Sequence, residues 1–131
     1  MIQPMTITRF AKLLPKICGQ DTSFDPKGWT KDNPFWGHCA VVSLLAHSLY
    51  QGGIVFVSLK GTKFAKMKFH FWNIFPDGAQ QDFTRSQFGK EYPGELEIKL
   101  AKVSELLLDK STLRRFKILQ DLFEEECKKS K

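Results

Sequence analysis

Cysteine is scarce: Cys18, Cys39 and Cys127 are the three in 131 residues, and no two form a CxxC pair. An odd, scattered set argues against a disulfide framework and against a four-ligand zinc site. It leaves room for a single reactive thiol. Long apolar runs are missing as well. No stretch reaches the roughly 18 apolar residues of a membrane span, and the opening MIQPMTITRFAKLLPK lacks the continuous apolar block of a signal peptide. The expectation is therefore a cytoplasmic chain without a membrane partner. Internal repeats are absent too. The length suffices for one core and is short for two, so a single domain over residues 1–131 is expected.

Phenylalanine is plentiful, with 12 copies, so aromatic packing is expected to compensate for small size. The formal charge is +6. Its carriers are dispersed through Lys60, Lys63, Lys66 and Lys68, then Lys99, Lys102, Lys110, Arg114, Arg115 and Lys117. Such spreading reads as a solvated surface and disfavours a nucleic-acid partner.

Ile7, Phe10, Leu13, Leu14 and Ile17 recur at helical spacing, which predicts an amphipathic helix up to Pro15 or just beyond. Residues 19–34 are rich in Gly, Asp, Pro, Ser and Asn and read as a loop, with Trp29 as its anchor in the core. Residues 39–50, CAVVSLLAHSLY, are apolar nearly all round, the mark of a helix buried on several sides. Gly52 or Gly53 closes it in the left-handed conformation. Strands are predicted at 54–59, 68–75 and 79–84, with Pro76-Asp77-Gly78 joining the last two. A short helix follows around 102–108. Ser111 then caps a final helix carrying Leu113, Phe116, Leu119, Leu122, Phe123 and Cys127 on one face.

Cys39 opens the buried helix, directly after Gly37-His38. First-turn amides have no intrahelical partners and carry the positive end of the macrodipole, which suits an anionic sulfur nucleophile. Gly37 would let a substrate approach the backbone. The competing reading is a small hydrophobe starting a buried helix. In residues 68–75, strand alternation puts Lys68, His70, Trp72 and Ile74 on one face. Phe69, Phe71 and Phe75 share the other, which is expected to be core. His70 beside Trp72 fits a general base, and a half-exposed strand histidine is the alternative. His47 is set aside as the base, because eight residues along a helix is about 12 Å.

The turn decides what reaches His70. A two-residue Asp77-Gly78 loop would pair Asp82 with Asn73 and turn it away. A three-residue loop, a type I turn with Pro first and Gly in the left-handed bulge position, fits Pro-Asp-Gly better. That register pairs Phe75 with Ala79, Trp72 with Asp82 and His70 with Thr84, placing Asp82 within side-chain reach of His70. Asp82 would then orient the imidazole, with Asn73 a weaker candidate of the wrong parity. Asn33, six residues before Cys39, is a candidate oxyanion donor beside the Cys39 amide. Its alternative role is turn initiation as Asn-Pro.

Taken together, His70-Phe71-Trp72-Asn73, Asp77-Gly78 and Asp82-Phe83-Thr84 resemble the His and Asp strands of transglutaminase-like proteases. The order, Cys on a helix and then His and Asp on successive strands, is also that of papain. Closer still, the chain resembles the YunG-like family of small bacterial proteins. The shared segments are Trp29 with Asn33-Pro34, Gly37-His38-Cys39-Ala40-Val41, Gly52-Gly53, the His70 and Asp82 segments, and Gln87-Phe88. The chain departs from that family at His38, where Gln is usual.

The resemblance implies an α+β, minimal papain-like or transglutaminase-like fold. A central buried helix would pack on a short antiparallel sheet, flanked by N- and C-terminal helices. It also implies a cysteine hydrolase or acyltransferase acting on an amide, isopeptide or ester of a peptide, protein or small molecule. Cys39 would attack, His70 relay the proton, Asp82 orient His70, and Asn33 help hold the oxyanion. Trp36, His38, Trp72 and Asn73 would line the cleft, and neither a cofactor nor a metal is called for. The alternative is a catalytically inactive binding domain of the same fold whose basic surface meets an acidic partner.

Overall fold

The computed structural model describes residues 5–92 and 96–129. Helix α1, Ile7–Ile17, begins at Thr6, whose hydroxyl accepts the Arg9 amide at 3.1 Å. Its spacing buries Phe10, Leu13, Leu14 and Ile17 on one side. Each such side chain contributes on the order of 2 kcal/mol. That docks a helix of 11 residues, which would be marginal alone. Helix α2, Cys39–Tyr50, buries every residue from Val41 to Ala46. Through Ala46 the helix is wrapped by neighbours, as its all-round apolarity predicts, whereas Ser48 and Leu49 in its last turn are exposed. Gln51 and Gly52 end it at φ 65° and 80°, and Gly53 already belongs to the sheet.

Four strands follow as an antiparallel sheet in the order β3-β2-β1-β4: β1 Gly53–Ser58, β2 Phe69–Ile74, β3 Gln80–Gln81 and β4 Lys99–Ala101. The sequence pattern missed β4, whose three residues are too few for a period to emerge. The third strand is also much shorter than residues 79–84. Asp82 accepts the Thr84 amide on Oδ1 at 3.2 Å, and this local bend leads into a 3₁₀ segment, Arg85–Glu91. Helix α3, Val103–Leu108, and helix α4, Lys110–Lys129, complete the chain. The cap of α4 is Asp109 and not Ser111: its Oδ2 accepts from the Thr112 amide at 3.0 Å and hydroxyl at 2.7 Å. On α4, Leu119 and Phe123 are buried, whereas Leu122 is 37% exposed and lies off the packed face.

Two apolar cores result. One joins α1, α2 and α4 through Phe10, Leu14, Val42, Leu45, Leu119 and Phe123. Phe10 makes edge-to-face contacts there with Phe83 at 5.0 Å and Phe123 at 5.8 Å. The other gathers Val55, Val57, Leu59, Phe64, Trp72 and Phe88. This second core reverses the expected sidedness of β2. His70 and Trp72 are buried, while Phe69 is 42% exposed and packs with Phe56 and Phe71 at 5.6 and 6.2 Å. The physical reason is non-local: residues 59–67 and 85–92 fold over the His70 side and supply the covering apolar groups. Trp29 is another correction, being half-buried and pinning its own loop by donating to the Pro34 carbonyl at 2.9 Å.

Gly52 carries a sharp test of this arrangement. A Cβ there would sit 2.2 Å from the Ile74 carbonyl oxygen, in a backbone at φ 80°. Gly52→Ala should therefore cost at least about 2 kcal/mol, combining left-handed strain with displacement of β2. Urea unfolding measures it, and a loss below about 0.5 kcal/mol would mean that α2 does not turn into β1 at this residue.

Candidate active site

The turn at Pro76-Asp77-Gly78 sets the pairing of His70 with Asp82. Gly78 donates to the Phe75 carbonyl at 2.9 Å and has φ 90°, and Phe75 donates to the Ala79 carbonyl at 2.8 Å. With Asn73 paired to Gln81 and Ile74 to Gln80, this is the three-residue loop register. It sets Asp82 against the His70 side of β2. The His70 Nε2–H donates to Asp82 Oδ2 at 2.6 Å. His70 is 1% exposed, with its ring stacked on Trp72 at 5.5 Å and met edge-on by Phe88 at 4.8 Å. The imidazole is thereby held in one tautomer and one plane.

Its other nitrogen, Nδ1, is buried without a hydrogen bond. Cys39 is a further neighbour that acts on the ring, and its thiol donates to the Phe69 carbonyl at 3.7 Å. Burial by itself pushes the His70 pKa down. The hydrogen bond to Asp82 and the proximity of Cys39 outweigh it and raise the pKa to about 9. Cys39 is 8% exposed, and no side chain caps the helix it begins. Cys18, by contrast, is buried with its thiol pKa pushed up by burial, and burial also raises that of Cys127.

The remaining candidates are placed differently from expectation. Asn33 does not aim its amide at the thiol, because Nδ2 donates to the Gln87 carbonyl at 3.0 Å. His38 does not line a cleft. It is fully buried behind Cys39, its Nδ1–H donating to the Trp36 carbonyl at 2.9 Å while Nε2 accepts from the Thr22 hydroxyl at 2.6 Å. Burial first, then the Arg115 charge, lowers its pKa to about 4, against the Trp36 carbonyl, which favours the protonated ring. Asn73 is interior as well, donating to the Ser43 carbonyl at 3.0 Å and tying β2 to α2. Trp72 donates to Gln80 Oε1 at 2.8 Å and serves as a platform for His70. Trp36 is half-buried and donates to Asp25 Oδ2 at 3.0 Å. The close approach that Gly37 permits is to its own chain: a Cβ would meet Ser23 Oγ at 2.3 Å.

Three supporting residues were given no site role by the sequence reading. Gln87 is buried, accepts the Gly37 amide on Oε1 at 3.1 Å, and donates to Thr84 Oγ1 at 3.1 Å, so it braces both the Cys39 loop and the end of the Asp82 segment. Thr22 holds His38. Arg115, grouped above with the solvated basic residues, is 3% exposed. Its spacing from Thr112, Leu119 and Phe123 was the available signal, since these fall on one face of α4. Two surface clefts flank the site. One of about 550 Å³ includes Asn33, Phe64, Gln87 and Phe88. The other, of about 250 Å³, includes Phe56, Lys60, Phe69 and Lys99. Neither is lined by Cys39 or His70 themselves. Among the described residues no cluster of three His, Cys, Asp or Glu could hold a metal ion, and no helix is long and apolar enough to cross a membrane.

The two buried histidines set opposite limbs of a stability profile. His38, depressed to about 4, contributes stability that is present above pH 6.5 and lost as pH falls through 4. His70, raised to about 9, contributes stability that is present below pH 6.5 and lost as pH rises through 9. Thermal melts across pH 4–10 should therefore peak near neutrality, with His38→Gln flattening the acid limb and His70→Gln the alkaline one. Identical alkaline limbs in wild type and His70→Gln would refute the His70 assignment.

A family model described as YunG protein matches residues 6–128, so the chain belongs to the YunG family. No curated protein matches it, and no solved structure does.

Proposed function

We propose that this YunG-family chain is a cysteine-nucleophile hydrolase or acyltransferase on a minimal papain-like or transglutaminase-like fold, acting on an amide, isopeptide or ester carbonyl. One observation carries the reading. A buried imidazole is tied by Nε2 to Asp82, keeps Nδ1 without a hydrogen bond, and is acted on by Cys39, the one cysteine that starts a helix among the described residues.

The attacking species is the Cys39 thiolate, with the proton held on His70. The sulfur attacks the carbonyl carbon, forming a C–S bond and an oxyanion that the Cys39 amide, free at the helix start, receives. His70 Nδ1–H protonates the leaving nitrogen or oxygen as its bond to the acyl carbon breaks, leaving a thioester. Water, or an amine in the transfer case, then loses a proton to Nδ1 and attacks the thioester. The C–S bond breaks, and thiolate and imidazolium are restored. Asp82 keeps Nδ1 directed at the sulfur throughout and stabilises the charged ring. Asn33 has no part in this scheme while its amide serves Gln87.

A second reading is favoured by one feature: His70 is 1% exposed, and neither flanking cleft is lined by the thiol or the imidazole. A non-catalytic domain whose exposed lysines bind an acidic partner would have the same features.

Two measurements separate the readings. Iodoacetamide at pH 6, read by peptide mass spectrometry, should label Cys39 far ahead of Cys18 and Cys127. A p-nitrophenyl ester should acylate Cys39 in wild type and not in Cys39→Ser. His70→Ala should slow both reactions by about a hundredfold, and Asp82→Asn should slow them less. Equal labelling of the three thiols, unchanged by His70→Ala, would transfer the assignment to the binding domain.

A further inference from the structure

Arg115 is a buried cation, 3% exposed. Among the described residues no acidic group lies within ion-pair distance of it. Its guanidinium makes only long hydrogen bonds to neutral acceptors: the Thr22 carbonyl at 3.3 Å, Ser111 Oγ at 3.3 Å and Thr112 Oγ1 at 3.4 Å, with the Phe24 ring 5.6 Å away. Burying a charge in this way is unfavourable unless a countercharge forms nearby.

The hydrogen bonds lead from Arg115 to the thiol. Nη1 donates to the Thr22 carbonyl, the Thr22 hydroxyl donates to His38 Nε2 at 2.6 Å, and His38 is the residue from which α2 starts, one before Cys39. Trp36 anchors the other side of the His38 ring at 2.9 Å. The His38 ring stays neutral in this setting and so transmits position without adding charge. Building on the cysteine-nucleophile reading, we propose that Arg115 is a positioning residue of the Cys39 site. Through Thr22 and His38 it sets the first turn of α2, and it keeps a fixed positive charge behind the sulfur.

The charged and titratable groups around the thiol come from each element packed there. His38 lies before it, His70 backed by Asp82 faces it from β2, and Arg115 acts on it from α4. Arg115 in turn feels Asp109 and Arg114, and Lys68 acts on Asp109. The Asp109 carboxylate is already committed to capping α4 through Thr112. The anion that matches Arg115 is therefore the one that forms at Cys39.

The test is the rate of Cys39 alkylation by iodoacetamide from pH 5 to 9 in the full chain. Arg115→Gln should lower the rate at pH 6 about three- to tenfold and move the profile to higher pH, and Arg115→Lys should recover most of it. Ser111→Asp is a second route that keeps the cation. Position 111 is exposed in the first turn of α4, where an acid is favourable, and its side chain already meets Arg115 Nε. A carboxylate there should neutralise Arg115 and shift the profile the same way by less. If the profiles of Arg115→Gln and Ser111→Asp overlay wild type while His70→Ala slows alkylation, the Arg115 proposal alone fails. Should Arg115→Gln not fold, an unchanged Ser111→Asp profile overturns it equally. If His70→Ala also changes nothing, the nucleophile reading fails with it.

Discussion

The hydrogen bond between His70 and Asp82, 2.6 Å long and sheltered from water, is the constraint that the rest of this small structure serves. A carboxylate and an imidazole held at that distance strengthen each other only where solvent is excluded and both planes are fixed. The turn at Gly78 provides the register, and Trp72 provides a stacking surface. Phe88 and Tyr92 close the edge at 4.8 and 5.9 Å from the imidazole. Asp82 remains the more open partner, 14% exposed against 1% for His70. The pair is therefore closed on the side of the ring and slightly open on the side of the acid.

Around that pair the chain divides its apolar side chains into two cores, and α2 works at the boundary. Val42, Leu45 and Ala46 pack with the terminal helices, while Cys39, at the start of α2, reaches the Phe69 carbonyl and the His70 ring. The loop before it is braced by side chains: Gln87 on the Gly37 amide, Ser23 on the Trp36 carbonyl, and Thr22 on His38. A thiol placed by so many neutral hydrogen bonds is located by its surroundings and not by a cap of its own. Arg115 then stands as the fixed charge on the far side of the same loop.

How much of this was legible in the chain depended on range. Residues 39–50 announced a helix buried over most of its length because apolarity on every side means burial on every side, and only the last turn, at Ser48 and Leu49, stays exposed. Pro76-Asp77-Gly78 announced the register because turn geometry is set by three residues and their allowed φ angles. From that register the approach of Asp82 to His70 followed without any tertiary information. Membership of the YunG family was legible in the same way, from short segments in fixed order.

Other features had no local signature. Alternation in residues 68–75 separated His70 and Trp72 from the phenylalanines, but it could not say which face was interior. That was decided when residues 59–67 and 85–92 folded over the His70 side. Asn33 carried a donor six residues from the thiol, and only the arrival of Gln87 from 54 positions away determined where that donor went. Arg115 read as one basic residue among many until α4 packed against Thr22. The sequence by itself determined the α-helices, the Pro76-Asp77-Gly78 turn and the approach of Asp82 to His70, because propensity and turn chemistry act over a few residues. The tertiary structure alone decided which polar groups lost their water, because desolvation depends on which distant segments arrive to cover them.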